Sequence, residues 1–440
     1  MGSQEPEKEA SLDVKNRMLA GAAFAVLTAF AMPANAANSP ELPDATFRAP
    51  ADNAINSFYA SRGGKALWSP AAASALVSTL ERAPLDGLSN GPVLAAQARA
   101  LMARANTGDA GARNDADRLL SSAWVQYVQA LRTPPAGMTY ADQWVAPRML
   151  SSSTILAQAA AAPSLATHVA QVAAVNPLYA RIRDAAWSAA QANGGAIDPR
   201  ALASLDRVRD IPPQGRYIMV DTAGAQLYMI DNGQIVDTMK VIVGKADPST
   251  QTPMIASTIY YATLNPYWHV SGEILRSTIA PNVLSMGTGY LKARGYQVMA
   301  ADDSDTQLDP AKVNWRAVAA GTEMVRVRQL PGPANSMGKM KIPFPNGSDL
   351  YLHDTPNKNL FASDDRSLSH GCIRLEDAQR LGRWLMGRDP QTASNTPEQN
   401  VLLPAPVPIY LTYLTAQVNG NQLSFIDDVY GRDREIAALR

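Results

Sequence analysis

The chain contains few of the residues from which metal sites and disulfides are built. Its 440 residues include one cysteine and four histidines. A single cysteine excludes a disulfide within the chain, and the histidines lack the close spacing typical of zinc ligands. Basic and acidic residues are equal in number, 39 of each. This balance argues against a protein that binds nucleic acid through a basic surface.

Long apolar segments are also lacking, apart from one short run near the N-terminus. Lys15 and Arg17 precede an uncharged run over residues 18–32, and small residues follow it. This order is typical of a secretory signal peptide, and the run is shorter than the roughly 20 residues of a membrane-spanning helix. We predict that residues 1–36 are a signal peptide for export. A short anchor or a buried helix is the alternative, and three glutamates before Lys15 leave the true start codon open.

The region before about residue 210 is rich in alanine and leucine. Its hydrophobic periodicity predicts amphipathic helices over residues 95–105, 115–131, 177–191 and 199–208. No set of acids, bases or nucleophiles converges in this region. We therefore predict an all-α domain over residues 42–205 that serves as a scaffold or docking domain and carries no catalytic group.

After Ile211-Pro212-Pro213 the pattern changes to short β-strands. Strands are predicted at residues 216–222, 225–230, 234–243, 255–264 and 349–353, with a last hairpin at 408–418 and 422–426. Helices are predicted at residues 273–280, ending before Pro281, and at 375–386, ending at Gly387. We predict a mainly β domain over residues 206–433. The fold class of the whole chain is then α+β.

The lone cysteine, Cys372, lies in the sequence Ser-His-Gly-Cys-Ile-Arg over residues 369–374. An exported protein tends to pair its cysteines, so an unpaired thiol needs an explanation. A thiol reacts as its thiolate, with a reference pKa of about 8.5, and a neighbouring imidazole can accept its proton. His353 ends a predicted strand and could reach Cys372 across the polar loop between them. A lone cysteine is also often a small buried hydrophobe, so the residue types leave catalysis and burial about equally open.

Further groups near Cys372 favour acyl transfer through a thioester. The imidazole of His353 needs a partner to orient it, and the backbone carbonyl of Asp354 could accept its second N–H. Gly371 allows the chain to turn sharply beside the thiol, and the backbone N–H groups of residues 370–372 could stabilise an oxyanion. The other two histidines, His168 and His269, are more simply explained as structural residues.

The stretch from His353 to Arg374 resembles the signature of the L,D-transpeptidases, the family with a YkuD-type catalytic domain. That signature is a histidine, a spacer of about fifteen residues, Ser/Thr-His-Gly-Cys, an apolar residue, and Asn or Arg. Further segments resemble the large periplasmic branch of this family: residues 241–245, 252–253, 265–268, 343–346, 351–356 and 426–431. The resemblance covers roughly residues 205–433. Residues 56–59 and 67–68 resemble the N-terminal scaffold of that branch more weakly.

The resemblance implies roles for individual residues of the predicted catalytic domain. Cys372 corresponds to the nucleophile, His353 to the general base, and Asp354 to the residue whose backbone carbonyl orients that base. His370 and Gly371, together with Cys372, correspond to the backbone that forms the oxyanion hole.

The resemblance also implies roles for two more residues of the motif and for one insertion. Ser369 would shape the loop beside the substrate. Arg374 would pair with a substrate carboxylate or form a salt bridge within the loop. Residues 269–331 correspond to the substrate-capping insertion. The glycan-binding insert common in the large branch is missing, since only a short segment separates Arg183 from Val208.

The resemblance implies a periplasmic enzyme that uses no metal or cofactor. It would cleave peptidoglycan tetrapeptide stems after the third-position diamino acid, release D-alanine, and join the acyl group to a neighbouring stem as a 3-3 cross-link. Carbapenems are expected inhibitors. Water as acceptor would make the protein a carboxypeptidase, and a protein amine would make it a tethering enzyme. A non-catalytic wall-binding scaffold is the alternative outside enzymes.

Overall fold

The structure is a computed structural model that describes residues 44–212, 214–302, 304–391 and 395–433. From residue 49 onward these residues form one compact unit. The predicted signal peptide, residues 1–36, lies outside the described residues.

Helices dominate the N-terminal region, as the hydrophobic periodicity predicted. Before residue 207 the described residues form α1 Asp44–Ser61, α2 Pro70–Glu81, α3 Gly91–Asn106, α4 Ala110–Leu131, α5 Ser152–Ala161, α6 Leu165–Ala174, α7 Pro177–Ala192 and α8 Pro199–Asp206. Polar side chains define where most of these helices begin. For example, Ser69, Asp109 and Asn176 each accept a hydrogen bond from a backbone N–H of the first turn.

The helical region is not entirely α, however. Thr139–Tyr140 forms a two-residue strand, β1, which pairs in parallel with Ile255 and Ala256 of the β domain. Two residues are too few to produce an alternating pattern, so no sequence signal marked this strand. The helical and β regions are therefore joined by backbone pairing as well as by packing.

The β region is built around one large sheet that closes on itself. Its strands are β2 Arg216–Asp221, β3 Gln226–Asp231, β4 Gln234–Gly244, β5 Ile255–Leu264, β9 Met340–Pro343, β10 Tyr351–His353, β11 Ser367–Ser369, β12 Ile373–Leu375 and β13 Gln399–Thr412. The order is β1-β5-β13-β2-β3-β4-β12-β10-β9, β11 pairs with β4, and β9 also pairs with β5. A terminal hairpin, β14 Ala416–Asn419 with β15 Gln422–Phe425, follows.

Residues 265–331 form a smaller unit between β5 and β9. Its elements are β6 Trp268–His269, α9 Gly272–Ile274, a π-helical turn Leu275–Ile279, α10 Ala280–Met286, α11 Gly289–Ala293, β7 Tyr296–Met299, a 3₁₀ turn Pro310–Lys312, α12 Trp315–Ala320 and β8 Arg326–Gln329. The strands form a three-stranded sheet in the order β6-β8-β7. Leu275, Val298 and Trp315 belong to a separate hydrophobic cluster of this unit.

The large sheet is buried on both faces. Along β2, Tyr217 and Met219 belong to the core that includes the N-terminal helices. The alternate residues Ile218 and Val220 belong to a second core, which α13 Ala378–Met386 also joins. Successive side chains of a strand point to opposite faces, so this division follows from the strand itself. One continuous core therefore links the helices to the sheet.

Two predicted helices have the wrong bounds. Pro281 does not end a helix but lies in the first turn of α10, where its missing N–H is not needed, after the π-helical turn. Leu375 ends strand β12, and α13 begins only at Ala378, where the Asp377 side chain accepts the N–H of Arg380. The start of α13 is thus set by a capping side chain, which hydrophobic periodicity does not detect.

Candidate active site

Of the residues predicted to act, His353 ends strand β10 and Arg374 lies on its neighbour β12, while Cys372 directly precedes β12; β9 flanks β10 on the other side. In these three strands, Ile342, Leu352 and Ile373 are paired in register and lie fully buried in the second core. Side chains alternate along a strand, so the chain neighbours of these three residues lie on the opposite face of the sheet. That opposite face is the candidate site.

A row of three polar side chains crosses this face. His353 on β10 pairs in register with Lys341 on β9 and with Arg374 on β12. Tyr351 comes two residues before His353 on β10, so it occupies the same face. Cys372 directly precedes β12, where it is close enough for Tyr351, Lys341 and Arg374 to act on its thiol, and it also packs against the second core. The pairing of β10 with β12 therefore brings together the predicted nucleophile, the predicted base and Arg374.

The imidazole of His353 is buried and held by the backbone. Its side chain is 3% exposed, and its Nδ1 lies 2.5 Å from the carbonyl oxygen of Asp354. An acceptor at Nδ1 places the hydrogen there, which leaves Nε2 as the basic nitrogen. Burial lowers the pKa of His353 to about 3, and the Arg374 cation acts in the same direction. The ring is therefore neutral at neutral pH and can accept a proton.

Asp354 is itself fixed by contacts on both sides of the strand. Its N–H donates to the carbonyl of Met340 at 2.9 Å. Its side chain accepts from the N–H of Lys339 at 2.9 Å and from Lys358 Nζ at 2.7 Å. A Cβ at Gly338 would lie 2.3 Å from Asp354 Oδ2, so this carboxylate fills the space that a larger residue would need. The carbonyl that faces His353 thus belongs to a rigid residue.

The loop that carries Cys372 is held by a chain of hydrogen bonds. Ser369 Oγ donates to the carbonyl of Cys372 at 2.7 Å and accepts the N–H of Gly371 at 3.0 Å. Thr252 Oγ1 donates to the carbonyl of Gly371 at 2.7 Å and accepts the N–H of Gly244 at 2.9 Å. Gly371 has φ of 110°, which glycine adopts most readily. Because its N–H is engaged by Ser369, Gly371 has no free donor for an oxyanion in this conformation.

Burial raises the pKa of the half-buried Cys372 thiol, while Tyr351 and the cations Lys341 and Arg374 oppose that effect. No hydrogen bond between the thiol and the His353 ring is found among the described residues; the two lie diagonally across neighbouring strands. A raised thiol pKa beside a lowered imidazole pKa favours the neutral pair at rest. The arrangement suits proton transfer during attack better than a permanent ion pair.

The remaining histidines occupy different surroundings. His370 is exposed, and partial burial and Lys245 lower its pKa, whereas Glu273 raises it. His269 Nε2 lies 3.2 Å from Glu398 Oε1 on the surface. The ring of His168 packs edge-on against Trp124 in the helical region, 5.7 Å between centroids. These contacts are consistent with structural roles for His168 and His269.

Two residues of the site, Lys341 and Tyr351, are not among the site residues predicted from the sequence. Lys341 Nζ lies 4.2 Å from the centre of the Tyr351 ring, and that ring lies 5.7 Å from the ring of His353. The available signal was alternation, since Lys341 separates buried Met340 from buried Ile342. Alternation predicts which face of its strand Lys341 occupies, but it does not predict that this strand pairs with the strand of His353.

Comparison with protein families identifies both parts of the chain. A model described as the L,D-transpeptidase catalytic domain, YkuD, matches residues 215–407. A model described as a scaffold domain matches residues 53–185. Residues 215–407 belong to the L,D-transpeptidase catalytic domain family. The resemblance found in the sequence is thereby confirmed, with the scaffold domain N-terminal to the catalytic domain.

A Haemophilus influenzae protein named "Putative L,D-transpeptidase" is 28% identical over 247 residues. The match covers 54% of this chain and 49% of that protein, so the chain spans about half the length of this relative. Among solved structures, an L,D-transpeptidase from Mycobacterium smegmatis is 13% identical over 44% of this chain and 58% of that one, with a TM-score of 0.21. L,D-transpeptidase 3 from Mycobacterium tuberculosis, in complex with a faropenem-derived adduct, is 13% identical over 45% and 60%, with a TM-score of 0.22.

In the described part of the L,D-transpeptidase domain and the scaffold domain, no helix is long and apolar enough to cross a membrane. The same residues contain no group of three or more histidine, cysteine, aspartate or glutamate side chains placed to hold a metal ion.

Proposed function

We propose that this protein is a peptidoglycan L,D-transpeptidase that forms 3-3 cross-links through a thioester on Cys372. The observation that carries the proposal is the pairing of β9, β10 and β12, which places a thiol directly before β12 and a neutral, backbone-oriented imidazole at the end of the neighbouring β10. A binding scaffold has no need for either group. Membership of the catalytic domain family supports the same reaction class.

In the first half-reaction, Cys372 Sγ attacks the carbonyl carbon of the third-position diamino acid. His353 Nε2 accepts the thiol proton as the S–C bond forms. Backbone N–H groups of His370 and Cys372 are the proposed donors to the oxyanion, because the N–H of Gly371 is already bonded to Ser369. The C–N bond to D-alanine then breaks, and the proton passes from His353 to the departing amine. A thioester remains on Cys372.

In the second half-reaction, the side-chain amine of a neighbouring stem attacks the thioester. His353 Nε2 accepts a proton from this amine, the S–C bond breaks, and the proton returns to the thiol. The product is an amide between two third-position residues. Water in place of the amine would give a tripeptide, and a protein amine would give a tethered protein.

Incubation with purified disaccharide-tetrapeptide, followed by mass spectrometry, tests the proposal. We expect a cross-linked dimer, an acyl-enzyme mass on Cys372, and release of D-alanine. A tripeptide product alone would indicate a carboxypeptidase. The matched control is Cys372→Ser, which is nearly isosteric but whose hydroxyl is far less acidic than a thiol, so that an imidazole suited to a thiol activates it poorly. Wild-type turnover by this variant would refute the thioester mechanism.

The wider assignments of the chain are part of this proposal. We propose export to the periplasm by residues 1–36, a scaffold over residues 42–205, and a catalytic domain over residues 206–433 in which residues 269–331 cap the substrate. The family matches at 53–185 and 215–407 lie within these bounds and support the two-domain assignment. Cell fractionation and N-terminal sequencing of the exported protein test the first assignment.

A further inference from the structure

An exposed tryptophan of the scaffold domain lies beside an exposed tyrosine of the catalytic domain. Trp144 is 57% exposed and Tyr260 is 40% exposed. Asp142 holds both residues, since its Oδ1 accepts the N–H of Trp144 at 3.0 Å and its Oδ2 accepts the hydroxyl of Tyr260 at 2.5 Å. Strand β1 leads directly into this loop, because the N–H of Ala141 donates to the carbonyl of Ala256 on β5 at 2.9 Å. The pairing of β1 with β5 therefore brings two aromatic residues from different domains to one place.

Tyr260 and its chain neighbour Tyr261 both face away from the second core. Ile259 and Ala262 are buried members of that core, although regular alternation would put residues three apart on opposite faces. The pairing of β5 with β13 shifts register between Ile259 and Tyr261, so the strand is irregular here, as at a β-bulge. Since the residues on both sides belong to the second core, the two tyrosines between them lie on the opposite face.

This face of the sheet continues to the predicted base. Thr263 on β5 pairs in register with Lys341 on β9, which in turn pairs with His353 on β10. Directly paired residues share a face, so Thr263 and, two residues before it, Tyr261 lie on the face of His353. Leu402 on β13 is 78% exposed and pairs with Tyr261. Four residues thus form one apolar surface on this face: Trp144, Tyr260, Tyr261 and Leu402.

A neutral polar side chain adjoins the apolar surface. Asn400 comes two residues before Leu402 on β13, in regular pairing with β5, so it occupies the same face. Its side chain is exposed, and its Oδ1 accepts the hydroxyl of Thr263 at 2.7 Å. That hydrogen bond leaves the amide nitrogen of Asn400 available to an acceptor on a ligand.

This combination fits the ring of a sugar. A pyranose presents C–H groups on its faces and hydroxyl or N-acetyl groups at its edge. C–H groups pack favourably on the electron-rich face of an aromatic ring, and an N-acetyl carbonyl can accept the N–H of Asn400. The four residues of the apolar surface carry no charge, so the surface suits a neutral sugar better than a charged stem peptide.

The distance from the apolar surface to the predicted base matches the length of a stem. Tyr261 lies two residues along β5 from Thr263, which is two strand spacings from His353, so the ordinary dimensions of a sheet give about 12 Å between Tyr261 and His353. In the proposed reaction, the stem residues up to the attacked carbonyl span at most about 10 Å when extended. A short acyl link joins them to the sugar. The sugar that carries the stem therefore reaches the apolar surface.

We infer that Trp144, Tyr260, Tyr261 and Leu402 bind a sugar of the glycan strand to which the stem is attached. The inference rests on the proposed function and extends it from the stem peptide to the glycan. It gives the scaffold domain a part in substrate binding through Trp144, without a catalytic group. The glycan-binding insert common in the large branch is missing here, and the apolar surface provides a contact of that kind.

Binding by the full chain carrying Cys372→Ala tests this inference without depending on the chemistry. The two probes are a disaccharide-tetrapeptide and the same tetrapeptide without the disaccharide, compared by calorimetry. We expect the disaccharide to strengthen binding about 10-fold, as one or two aromatic contacts would. Adding Trp144→Ala should remove most of this gain, whereas Trp144→Phe keeps an aromatic face and should retain most of it. The matched control is Val93→Ala, at a residue of α3 that is 59% exposed, which should leave the gain unchanged.

Equal affinity for the two probes would overturn the inference, and so would no measurable binding of the disaccharide-tetrapeptide. Equal weakening of both probes by Trp144→Ala would also overturn it, because the loop would then act on the stem or on the fold. Analytical ultracentrifugation tests another occupant. A dimer that Trp144→Ala dissociates, with no gain from the disaccharide, would make the apolar surface a contact between two copies of the chain and overturn the inference.

The proposed function fails separately from this inference. If the Cys372→Ala protein prefers the disaccharide-tetrapeptide but the wild-type protein forms no acyl-enzyme, the sugar site is retained and the thioester reaction is refuted. If the wild-type protein forms the acyl-enzyme equally well with and without the disaccharide, the reaction is retained and the sugar site is refuted.

Discussion

Lys358 Nζ lies 2.7 Å from Asp354 Oδ1, within the loop that joins the strand of His353 to Cys372. Lys358 also donates to the carbonyl oxygens of Leu375 at 3.0 Å and Glu376 at 2.7 Å, at the end of the strand that follows Cys372. The carbonyl of Asp354 orients the His353 ring. Lys358 therefore contacts the residue that positions the predicted base, but not the base itself. Lys358 ties the end of the strand that carries His353 to the end of β12, the strand that begins directly after Cys372.

Replacing Lys358 with methionine should slow acylation without unfolding the protein. Small displacements of a catalytic group can cost up to ~100-fold in rate, and this partly exposed lysine acts through Asp354, so we expect a loss of about 10-fold. The rate is measured by the loss of carbapenem absorbance, and the fold by urea unfolding. Lys339→Met is the matched control, since the exposed Lys339 contributes only its backbone N–H to Asp354. A wild-type acylation rate in Lys358→Met would show that the contacts of Lys358 do not position His353 for catalysis.

The pH dependence of acylation should distinguish His353 from His370. Because the pKa of His353 is lowered to about 3, its basic form already predominates well below pH 5. The wild-type rate should therefore stay nearly constant from pH 7 down to pH 5, instead of falling near the ordinary histidine pKa of about 6.5. His353→Ala should lose about 100- to 10,000-fold, the range for a general base.

In His353→Ala the remaining rate should rise about tenfold per pH unit up to the raised thiol pKa, since only the thiolate would then react. His370→Ala should keep the flat wild-type profile and lose less activity. A profile that changes in His370→Ala but not in His353→Ala would reverse the two roles.

Site residues that are neighbours in the chain could be predicted from the sequence alone. Cys372, Ser369 and Gly371 lie in one short motif, and Asp354 follows His353 directly, so their proximity requires no knowledge of the sheet. Lys341 could not be found in this way, because its place beside His353 depends on which strands pair and in which register. The two wrong helix bounds have local causes. Pro281 was expected to end a helix but lies in the first turn of one. Leu375 is a buried strand residue that happens to share the apolar spacing of the helix that follows it.

Gly244 is a position where the fold of the site leaves no room for a side chain. A Cβ there would lie 1.9 Å from the carbonyl oxygen of Thr250 and 2.7 Å from the N–H nitrogen of Thr252. Thr252 in turn holds the carbonyl of Gly371 beside the thiol. We expect Gly244→Ala to destabilise the protein by about 1–3 kcal/mol, as overpacking commonly does, and to slow acylation of the folded protein.

Urea unfolding and carbapenem acylation measure these two effects of Gly244→Ala. The control is Gly289→Ala, in a helix of the insertion, where a Cβ would meet nothing within 4 Å. Unchanged unfolding and acylation in Gly244→Ala would mean that the Thr250–Thr252 segment can shift freely and does not position the Cys372 loop.

The last prediction concerns a fragment of residues 206–440, which removes the predicted scaffold. Tyr217, Met219 and Tyr410 of the sheet share a core with the helices, so the fragment exposes an apolar face. We expect it to unfold at lower urea concentration than the full chain and to bind a hydrophobic dye. Its folded fraction should still form a carbapenem adduct at Cys372, because the helices are predicted to carry no catalytic group. A fragment that circular dichroism shows to be folded, yet that forms no adduct, would mean that the helical region takes part in building the active site.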